Sequence, residues 1–487
     1  MASRRAPNVS TYFSCPCPPT LFHRIGALAI GDMKLCRICF VLAAAFTPSA
    51  AFAPSGQAGG RARTGLDSSP EARRPEWSPS SWREVQAAGA GAGAGAGEKG
   101  STAEIEAAAQ KIRKYAPLIF GGEVLTFREK LARACQGQGF LLMGDDAAPQ
   151  FEAYDVDMVR DTFKAILQQS MILTYGCQLP IIKVGRMVYQ IEDDADGGNQ
   201  FVEAYHQKAQ TINILRAFSS GGFADLNRLH GWNLDFVEQT EEDSRYRAFA
   251  EKVDDSLLFM RSIGVDTHAP TFSQVDFYTA HEIKMLPLEE SLTRNDSTTG
   301  KWFDCSAHML FVKDPDEGVQ EFVRGVNNPL GLKVTDATTP EKLIELIEAL
   351  NPLNDPGRLS LVVRMGADTM RKSLPNLIRA AQREGKHVLW IADPTFNQRT
   401  TPEGSPTRDF DAIRSELRAF FDVHQEMGSH PGGVRLEMTG KDVTECVGGE
   451  CEVTEDRVDT PPGCDPRLNG NQAIELAFLM AERMRSR

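Results

Sequence analysis

Three basic residues of the chain each follow a short run of apolar residues. They are Arg186, Lys333 and Arg364, and the runs before them are typical of buried β-strands. The planar guanidinium of arginine matches phosphate oxygens, and lysine adds a compact positive charge. Taken singly, each residue is more simply explained as a surface or salt-bridge residue. If the runs bring all three together, the sequence predicts a site for an anionic, phosphorylated ligand.

Carboxylates and a histidine follow other parts of the same pattern. Glu437 ends one apolar run directly, and Asp465 lies in a later polar stretch. Oxygen atoms of this kind suit a divalent cation or a proton transfer. His281 and Glu282 are adjacent and could form an acid/base pair, although a packed, hydrogen-bonded histidine explains His281 equally well. The residues alone indicate an enzyme for phosphorylated substrates, with metal assistance left open.

The elements that would position these residues alternate between strand-like and helix-like patterns after Thr102. Amphipathic helices are predicted at Pro340–Leu350, Leu374–Glu384 and Phe410–Glu426. The apolar runs end in polar, glycine or charged residues, and they are Phe140–Met143, Ile181–Val184, Val275–Tyr278, His308–Val312, Gly331–Leu332, Leu359–Val363, Val388–Ala392 and Val434–Leu436.

Strand, polar tip and helix, repeated in this way, predict a (β/α)8 TIM barrel of the α/β class. In such a barrel the active site lies at the C-terminal ends of the strands, where the charged residues stand. A doubly wound open sheet is the alternative. It requires a glycine-rich phosphate-binding turn after the first strand, and the sequence contains no GxGxxG or Walker motif.

The first 74 residues have the composition of a targeting region. Ile38–Phe46 is apolar but shorter than the roughly 20 residues that span a bilayer, and the small residues of Ser49–Pro54 follow it as in a signal peptide. The segment from Ser55 to Arg74 is rich in Arg, Ser, Gly and Ala. The layout resembles the bipartite presequences of algae with complex plastids. We therefore predict a signal peptide at about residues 1–51 and a transit-like segment at 52–74, directing the chain to the plastid stroma. An ordinary secretory signal is the alternative.

Residues 75–100 are predicted to be an N-terminal arm and a linker. Trp77–Trp82 has the character of an arm that docks elsewhere, and Ala87–Gly97 is almost pure Gly–Ala alternation, which predicts flexibility. The folded body then covers 101–487, beginning with a helical extension at Ile105–Tyr115. The net charge of −13 argues against nucleic acid or an anionic membrane surface as a partner of the mature chain.

Long blocks of the sequence resemble the class II (plant-type) 3-deoxy-D-arabino-heptulosonate 7-phosphate (DAHP) synthases. The resemblance covers nearly all of Trp77–Glu482 in collinear order. Its main blocks are Lys183–Met187, Arg216–Val237, Phe277–Glu282, Leu292–Val312, Gly325–Val334, Leu350–Asp368, Ser429–Gly449 and Cys464–Glu482. It implies a transferase that condenses phosphoenolpyruvate with erythrose 4-phosphate, releasing phosphate, at the first step of the shikimate pathway to chorismate and the aromatic amino acids.

The resemblance also implies roles for individual residues. Arg186, Lys333 and Arg364 match the cations that bind phosphoenolpyruvate, and Lys333, Arg364, His281 and Glu282 form the implied catalytic group. A divalent metal ion (Mn²⁺, Co²⁺ or Mg²⁺) is implied as cofactor. The family members are usually oligomeric, so a homo-oligomer, or a hetero-oligomer with a paralogous synthase, is expected.

The implied metal site departs from the family pattern. Glu437 and Asp465 match two of the four metal ligands, Asp146 stands where the family has a cysteine, and Phe396 stands where it has a histidine. The family's Lys-Pro-Arg-Ser and Tyr-Arg-Gly-Asp segment is absent after Gln190.

Three interpretations of these departures stay open on the sequence. In the first, the enzyme is active with an all-carboxylate site of Asp146, Glu437 and Asp465 around Mg²⁺ or Mn²⁺. In the second, the chain is a catalytically impaired paralogue that acts as a ligand-binding or regulatory partner of an active synthase. A skipped exon would explain the missing segment but not Phe396. We take synthase activity as the primary prediction.

Overall fold

The computed structural model describes most of the chain after its predicted targeting region. The described residues are 76–89, 102–146, 155–187, 198–227, 241–313, 315–450, 452–461 and 464–485. The targeting region at 1–74, most of the Gly–Ala linker and the position of the missing segment after Gln190 lie outside them. The domain boundaries at 74 and 100 therefore remain predictions.

Eight parallel strands form a closed barrel at the centre of the molecule, which confirms the predicted (β/α)8 fold. Each strand pairs with its neighbour in the chain order used here, and the last strand pairs with the first through Leu141 and Gly433. In chain order the strands are β1 (Phe140–Asp145), β2 (Ile181–Arg186), β3 (Tyr278–Glu282), β4 (Met309–Val312), β5 (Leu330–Thr335), β6 (Leu359–Arg364), β7 (Leu389–Ala392) and β8 (Gly433–Glu437). Because all eight run in parallel, their charged C-terminal residues meet at one mouth.

The predicted strands agree with the observed ones except at β3. The apolar run Val275–Tyr278 suggested an earlier strand, but ladder pairing with β2 begins at Tyr278. The backbone N–H of Val275 is used elsewhere, since it donates to the carbonyl of Ser219. The shift carries β3 through His281 to Glu282 and places both residues at the mouth.

Helices surround the barrel and cover its ends. They are Ser81–Gly89, Thr102–Ile112, Gly121–Cys135, Val156–Cys177, Gly198–Ser220, Glu241–Ser262, Pro270–Ser273, Leu286–Leu292, Glu317–Gly325, Pro340–Leu350, Ala367–Arg383, Phe410–Glu426 and Gly470–Arg485. Short strands lie outside the barrel at Thr293–Asn295, Trp302–Asp304, Arg399–Thr400, Pro406–Asp409 and Cys446–Val447. In the described part of the chain, no helix is both long and apolar enough to cross a membrane.

Two helices match their predicted bounds because side-chain caps fix where they begin. Thr339 accepts a hydrogen bond from the N–H of Lys342, and Asp409 accepts bonds from two N–H groups of the following turn. The helix predicted at Leu374–Glu384 begins earlier, at Ala367, and continues through Pro375. The missing N–H of Pro375 removes one helical bond, but the helix still buries an apolar face that includes Met370.

The predicted N-terminal arm docks onto the body. The indole N–H of Trp77 donates to the carbonyl of Glu321 at 2.9 Å, and its ring meets Trp302 edge to face. Trp82 is buried and donates to Glu290, which also pairs with Arg83 at 2.8 Å. The first three residues of the predicted linker are helical, because the helix Ser81–Gly89 extends into them.

Gly325 is required where the arm meets the body, since a methyl group there would overlap the ring of Trp77. We expect Gly325→Ala to displace the arm and to lower stability by about 1–3 kcal/mol, as overpacking typically does. Tryptophan fluorescence and urea unfolding measure both effects. Gly122→Ala is the control, because nothing lies within 4 Å of its added carbon. Equal stability of the two variants would contradict the close packing.

Candidate active site

The mouth of the barrel carries a partial ring of linked ion pairs, which runs from Lys333 to Arg364. Asp145, Arg186 and Glu282 are the last residues of β1, β2 and β3, and Arg364 and Glu437 are the last residues of β6 and β8. Fold geometry alone therefore brings together residues that are distant in sequence. Basic and acidic groups alternate around the ring, so the charges balance inside a partly buried site.

The three predicted phosphate-binding cations all belong to this ring. Lys333 Nζ lies 3.3 Å from Glu282 Oε2, and Arg186 Nη1 lies 3.6 Å from the same oxygen. Arg364 pairs through Nε with Asp393 Oδ2 at 2.8 Å. The side chains of Lys333 and Arg364 keep part of their surface exposed to solvent. The cations converge, as the sequence predicted, and two of them share one carboxylate.

A fourth cation, Arg435, links the two sides of the ring and was missed by the sequence reasoning. Its guanidinium contacts Asp145, Asp393 and Glu437, the last at 2.6 Å, and only 4% of its side chain is exposed. A signal for it did exist, because Arg435 lies two residues before Glu437 in one strand. Residues at that spacing share a face of a strand, so both side chains point toward the same region.

The pKa values of Glu282, Asp393 and Lys333 all lie below their usual ranges, for two different reasons. Burial raises the pKa of Glu282, but the charges of Lys333 and Arg186 outweigh burial, and its pKa lies below the usual range. Asp393 behaves in the same way, because Arg435 and Arg364 outweigh its burial. Burial lowers the pKa of Lys333. Glu282 is therefore ionised at neutral pH and holds two of the cations in place.

A pocket opens beside this ring. It contacts Arg186 and Glu282 on one side, and the helix Gly198–Ser220 forms part of its wall. Its polar lining also includes Lys208, His281, Lys284, Glu289 and Ser306. Its apolar lining consists of Ile112, Phe201, Ala204, Tyr205, Met285, Leu288 and Leu292. Of the three predicted phosphoenolpyruvate cations, Arg186 lines this pocket directly.

His281 lies in a buried polar cluster at the base of this pocket. Its Nδ1 is 3.2 Å from Lys208 Nζ, and its Nε2 is 2.7 Å from Glu289 Oε1. Burial and the charge of Lys208 hold the pKa of His281 well below its usual value. Burial, and the neighbouring Glu289, raise the pKa of Asp304 well above its usual range. Both ring nitrogens of His281 therefore have protein partners. No sequence pattern pointed to Lys208, Glu289 or Asp304.

We expect His281 to remain neutral from about pH 5 to about pH 8, with its proton on Nε2. A lysine ammonium can only donate, so Nδ1 accepts from Lys208 and Nε2 donates to the carboxylate of Glu289. Nitrogen-15 NMR of histidine-labelled protein reports the tautomer, and His281→Gln assigns its signal among the nine histidines. A His281 signal that titrates near the usual pKa would contradict the model.

The candidate metal ligands are less well suited to a metal ion. Asp146 is fully buried, accepts a hydrogen bond from Thr162 and pairs with Arg467 at 3.0 Å. Glu437 is held by Arg435 and Asp465 accepts from Gln398. Phe396 offers no donor atom and lies instead under the guanidinium of Arg364, 5.6 Å from it.

Within the residues that the structure describes, no three His, Cys, Asp or Glu side chains are grouped so that they could hold a metal ion. In this arrangement Asp146, Glu437 and Asp465 are each engaged by a separate protein group. The family resemblance predicts metal ligation by Asp146, Glu437 and Asp465, and this assignment remains a prediction.

Comparisons with known proteins support one family over nearly the whole body. The model of the Class-II DAHP synthetase family matches residues 77–193 and 189–481. The phospho-2-dehydro-3-deoxyheptonate aldolase of Streptomyces coelicolor is 38% identical over 446 residues, which cover 83% of this chain and 97% of that protein. The probable phospho-2-dehydro-3-deoxyheptonate aldolase, chloroplastic, of Catharanthus roseus is 41% identical over 403 residues, 78% of this chain and 79% of that one.

The two parts of the family match meet at residues 189–193, where the family's Lys-Pro-Arg-Ser segment is absent. Neither relative's name supports the alternative of an impaired regulatory paralogue. The blocks that carried the resemblance lie inside the matched ranges except for their last residue, Glu482, and the matched ranges include every residue of the ring. The chain belongs to the class II DAHP synthase family.

Proposed function

We propose that this chain is a 3-deoxy-7-phosphoheptulonate synthase, a transferase that condenses phosphoenolpyruvate with erythrose 4-phosphate to give DAHP and phosphate. The observation that carries the proposal is the convergence of Arg186, Lys333 and Arg364 around Glu282 and Asp393 at one barrel mouth. Family membership implies these two substrates. The reaction is the entry step of the shikimate pathway to chorismate and the aromatic amino acids.

In this proposal the three cations hold the phosphate and carboxylate groups of phosphoenolpyruvate. Arginine supplies paired N–H donors, and Lys333 supplies a positive charge that partly faces solvent. The new C–C bond forms between C3 of phosphoenolpyruvate and the aldehyde carbon of the sugar. Water adds at C2 and the phosphate leaves from there. Cations already fixed in place stabilise the leaving phosphate without reorganising.

Glu282 and His281 have different roles in this scheme. Glu282 contacts both Lys333 and Arg186, so an incoming anion competes with it for those cations. Ionised and beside the substrate, Glu282 is the proposed proton acceptor of the site. His281 has both nitrogens engaged by protein groups. We therefore assign it the positioning of the β3 end, which keeps Glu282 between the two cations.

The experiment is a direct assay of the full chain. Phosphate release is followed with both substrates, and DAHP is identified by mass spectrometry. Omission of erythrose 4-phosphate controls for simple hydrolysis of phosphoenolpyruvate. Product that requires both substrates supports the proposal. Binding of phosphoenolpyruvate without any product would instead favour the impaired paralogue.

We further propose that the mature enzyme resides in the plastid stroma. The relative from Catharanthus roseus is named chloroplastic, and the first 74 residues have the predicted bipartite layout. Fusion of residues 1–75 to a fluorescent protein in an alga with complex plastids tests this. We also propose assembly as a homo-oligomer, or with a paralogous synthase, and this proposal rests only on the fact that family members are usually oligomeric.

A further inference from the structure

The carboxylates of the mouth are already neutralised by arginines of the chain itself. We propose that the guanidinium groups of Arg435 and Arg467 take the place of a resident divalent cation. The claim that arginine replaces a metal ion goes beyond the proposed function. Its consequence, that phosphoenolpyruvate binds without a metal ion, rests on the proposed function.

Arg467 is the first of the two substitutes. Its Nη1 lies 3.0 Å from Asp146 Oδ1, and Glu445 clamps its other side at 2.6 Å and 3.0 Å. Thr162 donates to the second oxygen of Asp146. Both oxygens of this buried carboxylate therefore have protein partners. A metal ion at Asp146 would have to displace an arginine that is anchored from two directions.

Arg435 is the second substitute and is more deeply enclosed. It bonds to Glu437 at 2.6 Å and also contacts Asp145 and Asp393, all of them buried. A divalent ion on Glu437 would lie close to this permanent positive charge, and like charges in a buried site repel strongly. Arginine does not lose its proton at accessible pH, so the repulsion has no relief.

The carboxylates that form ion pairs at the mouth each have a basic partner from the chain itself. These ion pairs join five basic side chains to six carboxylates. A divalent ion needs a surplus of negative oxygen ligands. The fourth ligand position offers none, because Phe396 packs under Arg364 there. Arg467 at Asp146, Arg435 at Glu437 and Phe396 at the fourth ligand position thus each oppose a metal ion at this mouth.

The test measures metal binding and substrate binding separately on the untagged full chain. After treatment with a chelator, free Mn²⁺ is titrated and followed by electron paramagnetic resonance, and phosphoenolpyruvate affinity is measured by calorimetry. We expect no saturable Mn²⁺ binding and no rise in Tm at about 1 mM Mn²⁺. We also expect the Kd for phosphoenolpyruvate to agree within about twofold with and without chelator.

The outcomes distinguish this inference from the proposed function. One Mn²⁺ bound per chain with micromolar affinity, or phosphoenolpyruvate binding that requires Mn²⁺, would overturn the inference and leave the function standing. Absence of phosphoenolpyruvate binding under every condition, together with absence of Mn²⁺ binding, would overturn the function and support the substitution by arginine. Arg467→Met adds a second measurement, because it frees Asp146 and is expected to create Mn²⁺ binding that the native chain lacks.

Discussion

Lys333→Met is expected to weaken phosphoenolpyruvate binding by about 30-fold or more, equivalent to about 2 kcal/mol for one lost charge-assisted contact. Lys333 carries the charge nearest to Glu282, at 3.3 Å, and part of its side chain faces solvent. Its removal deletes a phosphate partner and also leaves Glu282 less well compensated against an incoming anion. Turnover with saturating substrate should fall as well, because the same charge faces the leaving phosphate.

Calorimetry with phosphoenolpyruvate measures the loss of affinity, and the product assay measures the loss of turnover. Lys342→Met is the matched control. Lys342 lies on the helix Pro340–Leu350, pairs only weakly with Glu345, and both side chains are more than half exposed. Its replacement should leave affinity and activity unchanged. If Lys333→Met bound phosphoenolpyruvate as tightly as the native chain, the assignment of the barrel mouth as the substrate site would be wrong.

The placement of Lys333 was predictable from sequence for a simple physical reason. Parallel strands of a barrel end at the same side, so a charged residue that closes an apolar run must stand at the common mouth. Arg186 and Arg364 follow the same rule, and the structure brings all three into one ring. The positions at which the apolar runs end were therefore enough to predict this part of the site without any knowledge of tertiary contacts.

The partners of these cations were harder to predict, because they depend on which side chains meet across the barrel. Arg435 on β8 binds Asp145 on β1, the strand that pairs with β8 to close the barrel, 290 positions away in sequence. Lys208 reaches His281 from a helix whose approach to the mouth no local pattern reveals. Sequence periodicity predicts the face of a strand or helix on which a residue lies. It does not predict which side chain of another element will contact that residue.

The same limit explains the uncertain metal site. Four positions could be aligned with the family's ligands, and three of them are carboxylates in this chain. The sequence could not show that Asp146 and Glu437 each have an internal arginine as partner. Residue type indicated a cation site, whereas our proposal that protein cations fill the role rests on the contacts of Asp146 and Glu437. The distinction rests on geometry alone.

Arg435→Leu is expected to destabilise the protein by about 3–5 kcal/mol at neutral pH, the usual result of removing one partner of a buried ion pair. The substitution leaves Asp145, Asp393 and Glu437 buried without their shared cation. Urea unfolding measures the change through the shift of its midpoint. Arg379→Leu is the control, because this exposed arginine donates a hydrogen bond to Asn376 on the same helix, and a change within about 0.5 kcal/mol is expected.

The pH dependence of that loss separates a charge effect from a packing effect. In the native chain the pKa of Asp393 is lowered, because Arg435 and Arg364 outweigh burial, so its stabilisation is present at neutral pH and fades only in acid. The pKa of Glu437 is raised to about 7 by burial even with Arg435 present. Without Arg435, the pKa values of Asp393 and Glu437 should both rise, and protonation of these carboxylates then favours the folded state as the pH falls. The difference in free energy of unfolding between the native chain and the variant should therefore narrow from about pH 8 to about pH 5.

Adding Glu437→Gln to the Arg435→Leu variant should recover part of the stability at the higher pH, since one buried charge is removed. A gap that stays constant with pH would mean that Arg435 acts by filling space, and its role as an internal counter-ion would be lost.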